Sequence, residues 1–203
     1  MADSARGSDN LIIRANNSED NNNKLQCVYM NARSIVNKMK VLELTVKQDD
    51  LDLVAITETW LHDKITDEEI SIEGYTLIRN DRKDINKHRG GGVALYIKNE
   101  LNPIHKTESY VDAFTESVWC NIRCGREITL LGVCYRAPDS SASNDENLYR
   151  LLNEVSKDRV VVMGDFNFAN LDWSKLENLD SLHPYLDCLN NNFLLQQVDK
   201  PSR

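Results

Sequence analysis

Five polar residues stand where apolar runs stop: Asn31, Glu58, Tyr135, Asp165 and Asn167. Asp165 and Asn167 follow Val160-Val161-Val162-Met163, and lie two apart. On an extended backbone they therefore point the same way. Asn31 follows Leu25–Met30, Glu58 follows Leu53–Thr57, and Tyr135 with Arg136 follows Glu127–Cys134. In layered α/β proteins, strand ends and the loops beyond them are the usual place for a site. Carboxylates, carboxamides and a phenol suit a hard divalent cation and a phosphodiester. Magnesium takes oxygen ligands and keeps several waters, so one or two carboxylates suffice. Phosphodiester hydrolysis needs a positioned water, charge neutralisation and a stabilised leaving oxyanion, to which a metal contributes Lewis acidity and orientation. General acid–base help typically adds about 10²–10⁴-fold.

Each residue alone has a plainer explanation. Glu58 reads as a solvated acid at a strand end. Asp165 reads as a turn or cap residue, and Asn31 as the start of the next helix. Tyr135 reads as a half-buried strand aromatic. Only their joint appearance at strand ends, in this order, favours a site.

The elements that must position them alternate. Leu25–Met30 is an expected strand. Ser34 is placed to cap a helix whose apolar residues Ile35, Met39, Leu42 and Val46 recur every three or four positions. Leu53–Thr57 is a short buried strand. Tyr75–Arg79 and Val93–Ile97 are strands around a polar loop, and Glu116–Arg123 and Glu127–Tyr135 form a hairpin turning near Cys124-Gly125. Ser143-x-x-Glu146 is a capping-box pattern that opens a helix carrying Leu148, Leu151, Leu152 and Val155. The run Val160–Met163 reads as a strand buried on both faces. A helix begins near Pro184, and Phe193–Val198 reads as a further strand. The αβ units at the two ends and hairpins between them predict two mixed sheets packed face to face with helices outside.

Length and charge narrow the function. The chain has 203 residues, 41% of them hydrophobic and 28% charged, as expected of a globular domain. A net charge of -8 argues against broad electrostatic adhesion to nucleic acid. DNA binding would need a local basic patch or bound cations. The segment Arg79–Arg89 carries Arg79, Arg82, Lys83, Lys87 and Arg89 against Asp81 and Asp84, and so is locally positive. It would either track a DNA backbone or be a solvated connection. The following Gly90-Gly91-Gly92 permits tight turns or close approach. Trp60 would either stack on a base or pack in the fold. Five cysteines without C-x-x-C spacing point to reduced thiols in a cytosolic or nuclear setting. No apolar run is long enough to span a membrane. Residues 1–24, rich in Asn, Ser and Asp, read as a disordered leader ahead of a domain over 25–203.

Five motifs occur in order: Asn31-Ala32-Arg33-Ser34, Thr57-Glu58-Thr59-Trp60, Arg89-Gly90-Gly91-Gly92-Val93-Ala94-Leu95-Tyr96, Tyr135-Arg136-Ala137-Pro138 and Gly164-Asp165-Phe166-Asn167. Over residues 25–203 the chain resembles the endonuclease/exonuclease/phosphatase superfamily. The likeness is greatest to the apurinic-type endonuclease domain of non-LTR (LINE-like) retrotransposons. The resemblance implies a four-layer α-β-β-α sandwich and magnesium-dependent DNA cleavage, with manganese as a substitute. It implies that Glu58 and Asn31 bind the metal, and that Asp165 orients or deprotonates the attacking water. Asn167 would hold the scissile phosphate, and Tyr135 would hydrogen-bond a phosphate oxygen or the leaving group. Arg136, Arg82, Lys83 and Arg89 would contact DNA, and Glu116 would orient a neighbour. An intact element would be nuclear and carry a reverse transcriptase later in the same polypeptide.

The family pattern also includes a further strand with an Asp and a C-terminal Ser-Asp-His. Neither appears here; the four histidines are His62, His88, His105 and His183. The expectation is an incomplete domain with its last strands missing, weakly active or inactive. The alternatives are a non-catalytic module of the same fold and a superfamily phosphatase.

Overall fold

Alternating side chains along the central strands build the layers. In β3 (Leu53–Thr57) every residue is buried. Leu53 and Ala55 face one apolar cluster, Val54 and Ile56 another. Strand β5 (Val93–Lys98) repeats the division, with Val93, Leu95 and Ile97 on one side and Ala94 and Tyr96 on the other. The period of two thus gives one sheet two dry faces.

The computed structural model describes residues 10–14, 25–83, 90–108, 113–168, 171 and 183–197. Among them, strands β1 (Asn10–Arg14), β2 (Gln26–Asn31), β3, β4 (Tyr75–Asn80) and β5 form one sheet in the order β1-β2-β3-β5-β4. Strands β6 (Ile104–His105), β7 (Ser117–Cys124), β8 (Glu127–Tyr135) and β9 (Val160–Asp165) form the second, in sequence order. Two pairings are parallel, β2 with β3 and β8 with β9, and the others antiparallel. The sheets meet through Cys27, Leu95, Val118, Leu131 and Val133. Helix α1 (Met39–Gln48) covers the first sheet through Leu42 and Val46. Helices α2 (Ala142–Val155) and α3 (Pro184–Asn191) cover the second. The layers run α-β-β-α. Trp119 lies over Gly132 so closely that a Cβ there would sit 2.3 Å from the indole, which fixes this strand pair's outer face.

Several sequence expectations are corrected. Within the supposed leader, Asn10–Arg14 is a strand paired antiparallel with β2. Its Leu11-Ile12-Ile13 run is β-prone and an open sheet edge lies beside it; the rest of 1–24 lies outside the described residues. Ser34 is not a helix cap. Its N–H bonds Glu58 O at 2.9 Å, and the helix opens later through a 3-10 turn over Val36–Lys38. The cap of α2 is Ser141, two residues before the expected one, and it accepts from the Asn144 N–H. Strand β9 is not dry on both faces: it borders the described second sheet and Val161 is 42% exposed. Phe193 turns with φ +54, and 194–197 form no strand; Phe193 and Leu195 are exposed and pair with no sheet among the described residues.

Candidate active site

Parallel pairing sends neighbouring strands out on the same side. Asn31 lies opposite Thr57 in the β2–β3 register, so Asn31 and Glu58 leave the first sheet together. Both exits then take an uncommon backbone. Arg33 (φ +43), Ser34 (+82), Glu58 (+55) and Trp60 (+55) are all left-handed without being glycine. Such residues persist where the surroundings over-determine them. Here they are laced together: Ala32 N–H bonds Thr57 O at 2.8 Å, and Ile35 N–H bonds Thr59 O at 3.0 Å. Thr59 and Trp60 N–H groups bond Gly92 O and Gly91 O at 3.2 and 3.0 Å.

The result fixes the Glu58 carboxylate. Its Oε2 accepts from Gly91 N–H at 3.0 Å and from the Trp60 indole N–H. Burial pushes its carboxyl up, but hydrogen bonds from Tyr135, Trp60 and Gly91 and the charge of Arg82 outweigh this and hold it below the usual range. Glu58 is ionised at neutral pH. Burial, then the hydrogen bond to Glu58 and its charge, push the Tyr135 phenol up. Tyr135 keeps its proton and remains a donor.

Behind this wall lies Glu116, 5% exposed. Arg82 donates to it through Nε at 3.0 Å and Nη2 at 2.8 Å, and Gly92 N–H adds a bond at 2.8 Å. The Arg82 guanidinium also sits 5.7 Å from the Tyr135 ring centre. Gly91 (φ +72) is glycine for a steric reason as well: a Cβ would meet Glu116 Oε1 at 2.2 Å and Arg82 Nε at 2.3 Å.

The second wall comes from β8 and β9. Tyr135 and Asp165 face each other in the parallel register, and Arg136 N–H bonds Asp165 O at 2.9 Å. Asn167 is left-handed (φ +46), and its Nδ2 donates to Arg136 O at 2.9 Å. The Arg136 side chain turns inward and is 7% exposed. It grips Asp145 with Nε at 2.8 Å and Nη2 at 2.9 Å, while Nη1 donates to Asn167 O at 2.9 Å. Its guanidinium lies 4.0 Å from the Phe168 ring centre. Phe166 and Phe168 in turn pack on Tyr185 of α3 at 5.2 and 4.7 Å. Burial raises the Asp145 carboxyl, but bonds from Arg136 and Ser140 and the charges of Arg136 and His183 bring it below its ordinary value.

The walls meet in a cleft of about 250 Å³ lined by Asn31, Arg33, Glu58, Trp60, Tyr135, Pro138, Asp165 and Asn167. Across it, Asn31 Nδ2 donates to Asp165 Oδ2 at 3.2 Å. All five strand-end residues expected from the sequence share this cleft. Arg33 and Pro138 also line it; both belong to the quoted motifs but were given no role. The expected DNA contacts fare differently. Arg136 is a buried internal clamp, because it follows Tyr135 by one residue and strand alternation sends it to the other face. Arg82 is committed to Glu116. Lys83 is exposed and away from the cleft lining, and Arg89 lies outside the described residues. Glu116 lies behind the cleft, where it accepts from Arg82 and from the Gly92 N–H.

The sequence model of the endonuclease/exonuclease/phosphatase family matches residues 28–185. The chain belongs to this family. A search of curated proteins finds no significant match. Solved structures show the same fold. An AP endonuclease from Leishmania major matches with TM-score 0.60 at 14% identity, covering 77% of this chain and 60% of that one. An AP endonuclease from Archaeoglobus fulgidus matches with TM-score 0.56 at 16% identity, covering 83% and 70%. A Bacteroides thetaiotaomicron mannosyl-6-phosphatase matches with TM-score 0.50 at 16% identity, covering 79% and 63%. The chain thus spans about 60% of the length of the Leishmania enzyme.

The family is generally dependent on divalent metals. The residues present fit a hard cation. Glu58 is ionised, and Asn31 Oδ1 is buried with no hydrogen-bond partner, which leaves an unused acceptor beside it. Among the described residues no group of three or more His, Cys, Asp and Glu gathers as a metal site. A cation here would depend on few protein oxygens and retain water, as magnesium does. No helix among the described residues is long and apolar enough to cross a membrane.

Proposed function

We propose that the cleft is a magnesium-dependent phosphodiesterase site, and that the chain is an endonuclease of retrotransposon type acting on duplex DNA. The observation that carries this is the convergence of Asn31, Glu58, Tyr135, Asp165 and Asn167 on one cleft from two separate sheets. Glu58 and Asn31 Oδ1 would hold the cation. When bound, it supplies Lewis acidity to the phosphoryl group. Asp165, steadied by Asn31 Nδ2, takes the proton of the attacking water. Tyr135, protonated, donates to a phosphate oxygen or to the leaving oxygen. Asn167 holds the phosphate from the facing wall. The retrotransposon assignment rests on the five ordered motifs; in an intact element a reverse transcriptase would share the polypeptide and the site of action would be nuclear.

No histidine lines the cleft among the described residues. Losing a group that stabilises the transition state generally costs orders of magnitude in rate, so slow turnover is the expected outcome. Supercoiled-plasmid nicking by the 203-residue chain should depend on magnesium, be slow, and disappear in Asp165→Ala. Manganese binding followed by electron paramagnetic resonance should weaken in Glu58→Gln. Nicking unchanged by Asp165→Ala, together with manganese binding unchanged by Glu58→Gln, would overturn the proposal. Manganese binding without any nicking would favour a non-catalytic module. A monoester phosphatase is the second reading, favoured by the structural likeness to the mannosyl-6-phosphatase. Hydrolysis of p-nitrophenyl phosphate faster than plasmid nicking would select it.

A further inference from the structure

We infer that Arg33 is the residue that recognises a polynucleotide here, by contacting a phosphate next to the one being cleaved. The inference rests on the reading of the cleft as a phosphodiester site. Of the three arginines at or directly behind the cleft walls, two are spent internally. Arg82 is neutralised by Glu116, and Arg136 by Asp145, each through a two-pronged grip. Arg33 alone of the three lines the cleft itself, is exposed, and has no ion pair among the described residues. Lys38, the other cation of this turn, is tied to the Ala32 carbonyl.

The placement of Arg33 is built into the backbone. It stands two residues after Asn31, at φ +43, a conformation that side-chain-bearing residues avoid. The turn is pinned on both sides of it, by the bonds of Ala32 N–H to Thr57 O and of Ser34 N–H to Glu58 O. The same segment that carries Glu58 therefore sets where the Arg33 side chain starts. An acidic protein of net charge -8, with Glu58 and Asp165 in the cleft, repels a polyanion unless a cation offsets it locally. A guanidinium can bind two phosphate oxygens at once, which matches a nucleic-acid backbone better than an isolated ammonium does. A monoester offers a single phosphate and gains nothing from a second contact. Arg33 thus defines the substrate class as a chain of phosphodiesters.

The test uses the full chain carrying Asp165→Ala, so that binding is read without cleavage. Anisotropy of a fluorescein-labelled DNA duplex is followed from low to moderate salt. Adding Arg33→Ala should weaken binding roughly tenfold and lower the salt slope by about one counterion. Arg33→Lys should restore the slope. In the otherwise wild-type chain, Arg33→Ala should raise KM for plasmid nicking by a much larger factor than it raises KM for bis(p-nitrophenyl) phosphate, which has no flanking phosphate. An unchanged salt slope in Arg33→Ala overturns the inference, as does a slope that falls only with Lys83→Ala. Equal losses on plasmid and small diester also overturn it, since Arg33 would then act on the reacting phosphate. Absence of nicking by the wild-type chain would sink the proposed activity and leave the binding test standing.

Discussion

Two buried arginine–carboxylate pairs stand behind the cleft, and they do different work. Arg82–Glu116 joins the end of the first sheet to the start of β7 in the second, and it backs the side chains Glu58 and Tyr135. Arg136–Asp145 stays on one side, tying the end of β8 to the first turn of α2, and it holds the backbone of Phe166 and Asn167. The first pair tunes charge, since Arg82 helps keep Glu58 ionised. The second shapes a loop, since four of its contacts are to carbonyls or an aromatic face. A buried ion pair is weak evidence for stability by itself. What these two share is that neither could be dissolved without moving a cleft residue.

The largest expected effect comes from breaking the loop clamp. Arg136→Ala strands Asp145 and three carbonyls, and should cost about 3–5 kcal/mol in urea unfolding. Arg136→Lys keeps the charge but loses the fork, and should recover only part of it. Next, Glu116→Gln removes the carboxylate charge that Arg82 grips and should cost about 2 kcal/mol by the same measurement. A larger loss for Glu116→Gln than for Arg136→Ala would invert the comparison. The indole bond comes third: Trp60→Phe removes a donor that lowers the Glu58 carboxyl, and should weaken manganese binding roughly tenfold with little change in melting. The smallest effect is on pH dependence. The Asp145 carboxyl is lower in the fold than in the unfolded chain, so its contribution is complete above its unfolded value, about pH 4, and is lost as pH falls through the lowered one. The stability gap between wild type and Asp145→Asn should therefore be constant near neutrality and narrow under acid. A gap that widens under acid would show that Asp145 is not the clamp's anion.

The sequence exposed most of the fold because burial has a period. Leu53–Thr57 and Val93–Ile97 alternate between two dry faces; the first coincides with the observed strand and the second stops one residue short of it. The cleft residues were legible because each stands where an apolar run stops. The left-handed turns were not. Arg33, Glu58 and Trp60 carry none of the usual glycine or asparagine signal, and their conformation is imposed by hydrogen bonds from other segments. The role of Arg136 was legible in principle, because a residue adjacent to an inward Tyr135 must face the helix layer. Beside a site that suggested phosphate, its charge was the more conspicuous property. The strand Asn10–Arg14 was hidden by the polar residues around it.

The two halves of the cleft ride on different sheets, and the packing between those sheets is apolar and has no preferred direction. Alignment across the gap falls to a handful of polar cross-links: Asn31 to Asp165, Tyr135 to Glu58, Arg82 to Glu116, and Asn80 to the carbonyls of Thr115 and Ser117. The arrangement is that of two jaws on a greased slide with a few pins. A change deep in the slide, far from any charged group, would leave both jaws intact and put their teeth out of line.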